Sequence, residues 1–171
     1  MSIRKLADAI GYAPGTIYLY FASRDEIIRE ICVRGFAQLY EAMKSAAEVK
    51  EPRQRLAGLL RAYADFAVRN SETYRLSFME DPRFTEEVFR AAPLEGEGGA
   101  GQQAFAILVQ AVRDLRPSKK VAREEAIKLA EVLWAGVHGV VSLKLIYPAF
   151  PTHATETLVD KMIQLLLDGF R

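Results

Sequence analysis

Cysteine is almost missing from this chain of 171 residues: Cys32 stands alone. That excludes an internal disulfide and suits a reducing compartment, the cytoplasm. An inert thiol is the expected state of Cys32, with only Arg29 nearby to favour a redox role. Histidine is nearly as scarce, with His138 and His153. No Ser/His/Asp order, paired-carboxylate site or metal-ligand spacing is evident, so no enzyme activity, cofactor or metal is expected. An excess of one charge is lacking too: 23 Lys and Arg face 22 Asp and Glu, for a net charge of +1. Composition therefore marks no polyanion-seeking protein. Apolar runs are short. Arg4, Lys5 and Asp8 interrupt the start, where a signal peptide needs an apolar stretch. Val132 to Tyr147 contains His138 and Lys144 and is expected to be too short for a bilayer, so no membrane is expected as a partner.

What remains is the composition of an ordinary globular protein, 50% hydrophobic and 26% charged. Apolar residues recur at helical spacing, and the chain reads as all-α. Ile3, Leu6, Ala7 and Ile10 form one stripe of a helix from about Ser2, its expected cap, to Ile10. Gly11 suits the turn that follows. Pro14 suits the first turn of a second helix, expected to reach Tyr20 with Ile17 and Phe21 inward. Ser23 and Glu26 make a capping box for a third helix, Asp25 to about Glu48. Two short helices about a glycine turn have the shape of a helix-turn-helix, whose second helix enters the DNA major groove. Arg4, Lys5, Arg24 and Arg29 in this head are offset by Asp8, Asp25, Glu26 and Glu30, so electrostatics adds nothing to that reading.

The residues themselves are more specific than the shape. Leu6, Ala7, Gly11, Thr16, Ile17, Tyr18, Tyr20, Phe21, Arg24 and Ile27 stand at the spacing typical of the tetracycline-repressor (TetR) family of transcription regulators, which this stretch closely resembles. The resemblance covers the first fifth of the chain. It implies that Pro14, Gly15, Thr16, Tyr18 and Tyr20 meet the groove or adjacent phosphates. Arg4 is placed for a guanine edge or a phosphate, and Ser2 and Arg24 for phosphates that set register. Leu19 could touch a thymine methyl, and Tyr18 could equally pack against Ala7 and Gly11. Members of the family normally carry another helix ahead of this motif, whereas here Met1 directly precedes Ser2. The head is therefore expected to lack its first helix and part of its core.

Beyond the head, helices are expected from Pro52 to Asn70, around Tyr74 to Met79, from Phe84 to Ala91 and from Gln102 to Leu115. Asn70-Ser71 is expected to stop one helix and cap the next. The stretch Leu94 to Gly101 is rich in glycine. It lacks the Lys-Ser/Thr pair of a phosphate-cradling loop and carries Glu95 and Glu97, so it reads as a surface loop. A long helix is expected from about Val121 to Tyr147, on the order of 40 Å. Its second half is apolar nearly all round, with narrow spots at Ala135, Gly136, Gly139 and Ser142. The last helix, Thr155 to Phe170, is again more apolar than a surface helix. Two such helices read as a dimer interface, with Val140, Leu143, Leu158, Met162, Leu165 and Leu166 as its residues. Full burial within one chain is the alternative.

Trp134, His138 and Gly139 add a second resemblance, to the Trp-His-Gly signature of one TetR branch. The likeness then extends over the whole chain and implies the family's layout, here without its first helix. Residues 1–31 are expected as the DNA-binding domain and residues 32–171 as a helical effector-binding and dimerisation domain. Tyr63, Phe66, Tyr74, Phe78, Phe105, Trp134 and His138 are candidates for an effector pocket, although any helical core needs such aromatics and His138 reads equally as a satisfied core histidine. The expected function is a homodimeric repressor that binds double-stranded operator DNA with inverted repeats and is released by a small hydrophobic effector. The alternative is a dimerisation or ligand-binding module whose DNA binding is impaired.

Overall fold

In the computed structural model, which describes residues 3–80, 83, 98–115, 122–150 and 152–169, the first helix stops at a glycine with φ of 73°. This is Gly11, and α1 is Ile3–Ile10. The Tyr12 N–H reaches back to the Ala7 carbonyl at 3.0 Å and the Gly11 N–H to that of Asp8 at 3.4 Å. That is a Schellman cap, and its left-handed residue favours glycine. The chain then turns into α2, Pro14–Tyr18, with Pro14 in its first turn. Ala7 and Ile17 are buried where the two helices meet, while Ile10 at the end of the α1 stripe is exposed.

The second helix is shorter than its sequence suggests. After Tyr18 the Leu19 and Tyr20 N–H groups bond to the carbonyls three residues back, Thr16 and Ile17, so the turn tightens and the helix ends. The Ser23 hydroxyl accepts from the Glu26 N–H at 3.2 Å, as the capping box requires. The reciprocal bond goes elsewhere: the Glu26 carboxylate takes the Ala22 N–H at 2.6 Å, not that of Ser23. From this cap α3, Arg24–Ala46, runs across residues 31 and 32 into the body.

Pro52 opens α4, Pro52–Arg69, whose first turn is capped by the Glu51 carboxylate. The Asn70 side chain does not cap the next helix as its sequence suggests; its amide donates to the Phe66 carbonyl and closes α4 instead. Next come α5, Ser71–Arg75, without a side-chain cap, and a π-helical segment, Leu76–Glu80. The helix expected over 84–91 lies outside the described residues, as do residues 94–97 of the glycine-rich loop. The end of that loop is helical, since α6 is Ala100–Asp114. It is followed by α7, Arg123–Ile146, which spans about 36 Å. The last helix, α8, is Thr155–Asp168, and Phe170 lies outside the described residues. All regular structure among the described residues is helical.

The body is built around α4, which packs on α3, α5, α6, α7 and α8. Leu56, Leu59, Leu60, Tyr63 and Ala67 of α4 are buried among Leu108 and Val112 of α6, Leu133 and Val137 of α7, and Ile163 of α8. Ion pairs fix the helix ends: Arg55 meets Asp114 at 2.8 Å, and Arg53 meets Asp168 at 2.9 Å while donating to the Leu167 carbonyl. By length and composition α7 is long enough to cross a membrane. The apolar run expected to be too short lies within a helix of 24 residues. Here α4, α6 and α8 cover part of it. Gly136 lets α8 approach, since a Cβ there would come within 3.0 Å of Leu166. The opposite side of α7 is bare. Val132, Leu143 and Ile146 are exposed, as is Leu165 of α8. Val140, Leu158, Met162 and Leu166 are half-buried at the edge of this stripe.

Candidate functional sites

The head presents apolar and aromatic side chains at the end of α2 and in the turn after it. Tyr18, Leu19 and Tyr20 are 55%, 82% and 76% exposed, more than packing residues would be. Gly15 is exposed and Pro14 and Thr16 are half-buried. Arg4 is exposed on α1. Arg24 borders a groove between α1, α3 and the π-helical segment, with Ile3, Leu6, Ile27 and Leu76 along its floor. Ser2 lies outside the described residues.

The second site is a cavity of about 140 Å³ in the body, partly open to solvent. α3 contributes Phe36, Leu39 and Met43, α4 Leu59, Leu60 and Tyr63, and the π-helical segment Phe78. Gly101, Ala104, Phe105 and Leu108 of α6 and Glu131 and Trp134 of α7 complete the wall. Of the aromatic residues expected at a pocket, Tyr63, Phe78, Phe105 and Trp134 line it. Phe66, Tyr74 and His138 do not; they stand behind the wall. Phe78 ties the aromatic side together, its ring 5.2 Å from Phe36, 6.0 Å from Tyr63 and 6.3 Å from Trp134.

Behind the wall three polar groups form a closed set. The Tyr63 and Tyr74 hydroxyls lie 3.0 Å apart, and both reach His138 Nδ1, at 2.9 and 2.6 Å. Burial pushes both phenols above their ordinary pKa of 10 and the imidazole below its ordinary 6.5. All three are therefore neutral near pH 7. A proton order in which Tyr63 donates to Tyr74 and Tyr74 to His138 Nδ1, with the imidazole proton on Nε2, satisfies the set. His138 is thus a satisfied histidine inside the bundle. Cys32 is fully buried, and burial raises its thiol pKa and so disfavours the reactive thiolate.

Sequence reasoning missed most of the aliphatic wall. Phe36, Leu39 and Met43 recur at helical spacing like any core face, and nothing in their order says that a void faces them. Glu131 carried a signal: with Trp134 and His138 it falls at i, i+3 and i+7, one face of one helix.

Known families match both ends of this architecture. Residues 1–31 match the model of the bacterial regulatory proteins of the tetR family, and residues 56–167 that of the tetracyclin repressor-like C-terminal domain. The chain belongs to the TetR family. Solved structures share its fold. A protein of unknown function from Rhodococcus sp. RHA1 superposes with a TM-score of 0.72 at 22% identity, over 99% of this chain and 84% of that one. The TetR-family transcriptional regulator PfmR from Thermus thermophilus does so at 0.72 and 18%, over 100% and 90%. A TetR/AcrR-family transcriptional regulator from Thermobifida fusca gives 0.69 and 18%, over 100% and 87%. No curated protein sequence matches the chain. The TetR-family head and body are joined here by a single rod: α3 carries the Ser23 cap at one end and three cavity residues further along.

Proposed function

We propose that this chain is a homodimeric DNA-binding repressor whose grip on its operator is released by a small hydrophobic ligand in the cavity. The observation that carries the reading is α3. Its first turns anchor the head, and Phe36, Leu39 and Met43 form one wall of the cavity. A ligand that fits better when this wall moves would tilt α3 and change the separation of two heads. Such a ligand must prefer one arrangement of the chain over the other, or it shifts nothing.

In this reading residues 1–31 form the head and 32–171 the body. Pro14, Gly15, Thr16, Tyr18 and Tyr20 enter or flank the major groove, and Arg4, Arg24 and Ser2 hold the backbone. The exposed stripe of α7 and α8 joins two copies, and reading of inverted repeats follows from that symmetry, with half-sites about 34 Å apart or a multiple of it. Fluorescence anisotropy on labelled duplexes carrying inverted repeats tests the proposal. Affinity should fall when a cavity-filling apolar compound is added. Unchanged affinity with the cavity demonstrably filled removes the release step.

One observation favours a second reading, a ligand-binding or dimerisation module with weak DNA binding. The head's four basic residues Arg4, Lys5, Arg24 and Arg29 are balanced by four acidic ones, Asp8, Asp25, Glu26 and Glu30. Phosphate contacts dominate DNA affinity. The same titration at two salt concentrations separates the readings, since a repressor shows a steep salt slope and this module shows little binding at either.

A further inference from the structure

The reading surface of the head is marked by what it omits. From Ala9 to Ser23 the chain carries no charged side chain and no Asn or Gln, and α2 lies wholly within that stretch. The side-chain pairings that identify bases in the major groove need Arg or Lys for guanine, Asn or Gln for adenine, and Asp or Glu for cytosine. None of these can come from α2. Apolar contact remains, and the major-groove feature it identifies is the C5-methyl group of thymine. The surface suits such a contact. Ile17 is buried, while Gly15, Tyr18 and Leu19 fall at i, i+3 and i+4 on another face, since Leu19 keeps helical backbone angles. Leu19 is the most exposed large apolar residue among the described residues. A Cβ at Gly15 would meet nothing within the chain. Its bare backbone is therefore an open notch beside two large side chains, not a packing contact.

We propose that the head reads its half-site by methyl groups: Leu19 and Tyr18 cover the C5-methyl groups of thymines that seat against the notch at Gly15. This rests on the reading of the chain as an operator-binding protein and gives Leu19 the choice of base. The balanced charge of the head adds weight to these contacts. Arg4, Lys5, Arg24 and Arg29 are offset by Asp8, Asp25, Glu26 and Glu30, so attraction to phosphates supplies less of the affinity and the base edges more. The rival is recognition of DNA shape, with the exposed side chains resting on the backbone. Shape readout needs no methyl group at any one base.

The test starts from the full chain and a random duplex library, from which repeated binding and amplification select the preferred sequence. Fluorescence anisotropy then compares the selected duplex with one in which deoxyuridine replaces the thymines of each half-site. That change removes the methyl groups and keeps every hydrogen-bonding edge. It should weaken binding about fourfold for each covered methyl, and about fifteenfold for one in each of two half-sites. Leu19→Ala, a change at an exposed position, should weaken binding to the thymine duplex several-fold and lower the preference for thymine over deoxyuridine, with the melting temperature unchanged. A selected site without thymine, equal binding of the two duplexes, or an unaltered preference in Leu19→Ala would overturn the methyl reading. In each of those cases the selected site leaves the operator-binding reading standing. If no sequence is enriched, both fall.

Discussion

His138 owes its protonation state to two phenols and to the surrounding core. Its Nδ1 lies 2.6 Å from the Tyr74 hydroxyl, and burial pushes the imidazole pKa below its ordinary 6.5. The unfolded chain takes up a proton near that value while the folded chain resists it. The unfolded state thus binds more protons just below pH 6.5, and stability present above this pH is lost as the pH falls through the window beneath it. Urea unfolding on either side of pH 6.5 should show the loss, and His138→Gln should flatten it; an equal slope in the variant would assign the titration to other groups. Tyr74→Phe should cost about 1 kcal/mol at neutral pH, because it removes the contacts of the Tyr74 hydroxyl with Tyr63 and His138 while Tyr63 remains to donate to Nδ1. None of this order could be seen in the linear chain. Tyr63 and Tyr74 are separated from His138 by 75 and 64 positions. Only the packing of α4, α5 and α7 brings the three groups within hydrogen-bond reach.

Among the helices, what could be read in advance was local. Gly11 ends α1 and Ser23 starts α3 through bonds to residues no more than five positions away, so their roles follow from neighbours in sequence. Sequence misleads where two local partners compete, as at Asn70, whose side chain prefers the Phe66 carbonyl to a capping role. Contacts between elements were invisible. Gly35 on α3 is buried against the Thr73 methyl, and any Cβ there would collide with it. Gly35→Val should destabilise by about 1–3 kcal/mol through overpacking and loosen α5 from α3. By contrast, a Cβ at Gly15 meets nothing, so Gly15→Ala should leave the melting temperature nearly unchanged and act only on DNA affinity. Thermal melts of the two variants by circular dichroism check the contrast, and similar losses would mean that α3 and α5 do not depend on this close approach.

For the complete chain the question is what covers the bare side of α7. Leu143 and Leu165 are 46% and 60% exposed, and a Cβ at Gly139 would meet open space. A surface of this kind favours a second copy arranged about a two-fold axis. Sedimentation should find a dimer, and Leu143→Asp combined with Leu165→Asp should give a folded monomer that has lost most of its affinity for inverted repeats. A wild-type chain that stays monomeric, or a dimer indifferent to both charges, would refute the interface.

The order of residues was enough to dictate the helix-turn-helix head, the succession of helices and the family, because caps, glycine turns and helical spacing act between residues a few positions apart. Three-dimensional packing alone assigned the apolar residues to solid core, to a void or to bare surface. Helical spacing assigns a residue to a face but does not say what that face will meet. Leu59, Leu133 and Leu143 look alike in the chain. They became cavity wall, core and open surface through the places that α3, α6 and α8 took up around α4 and α7.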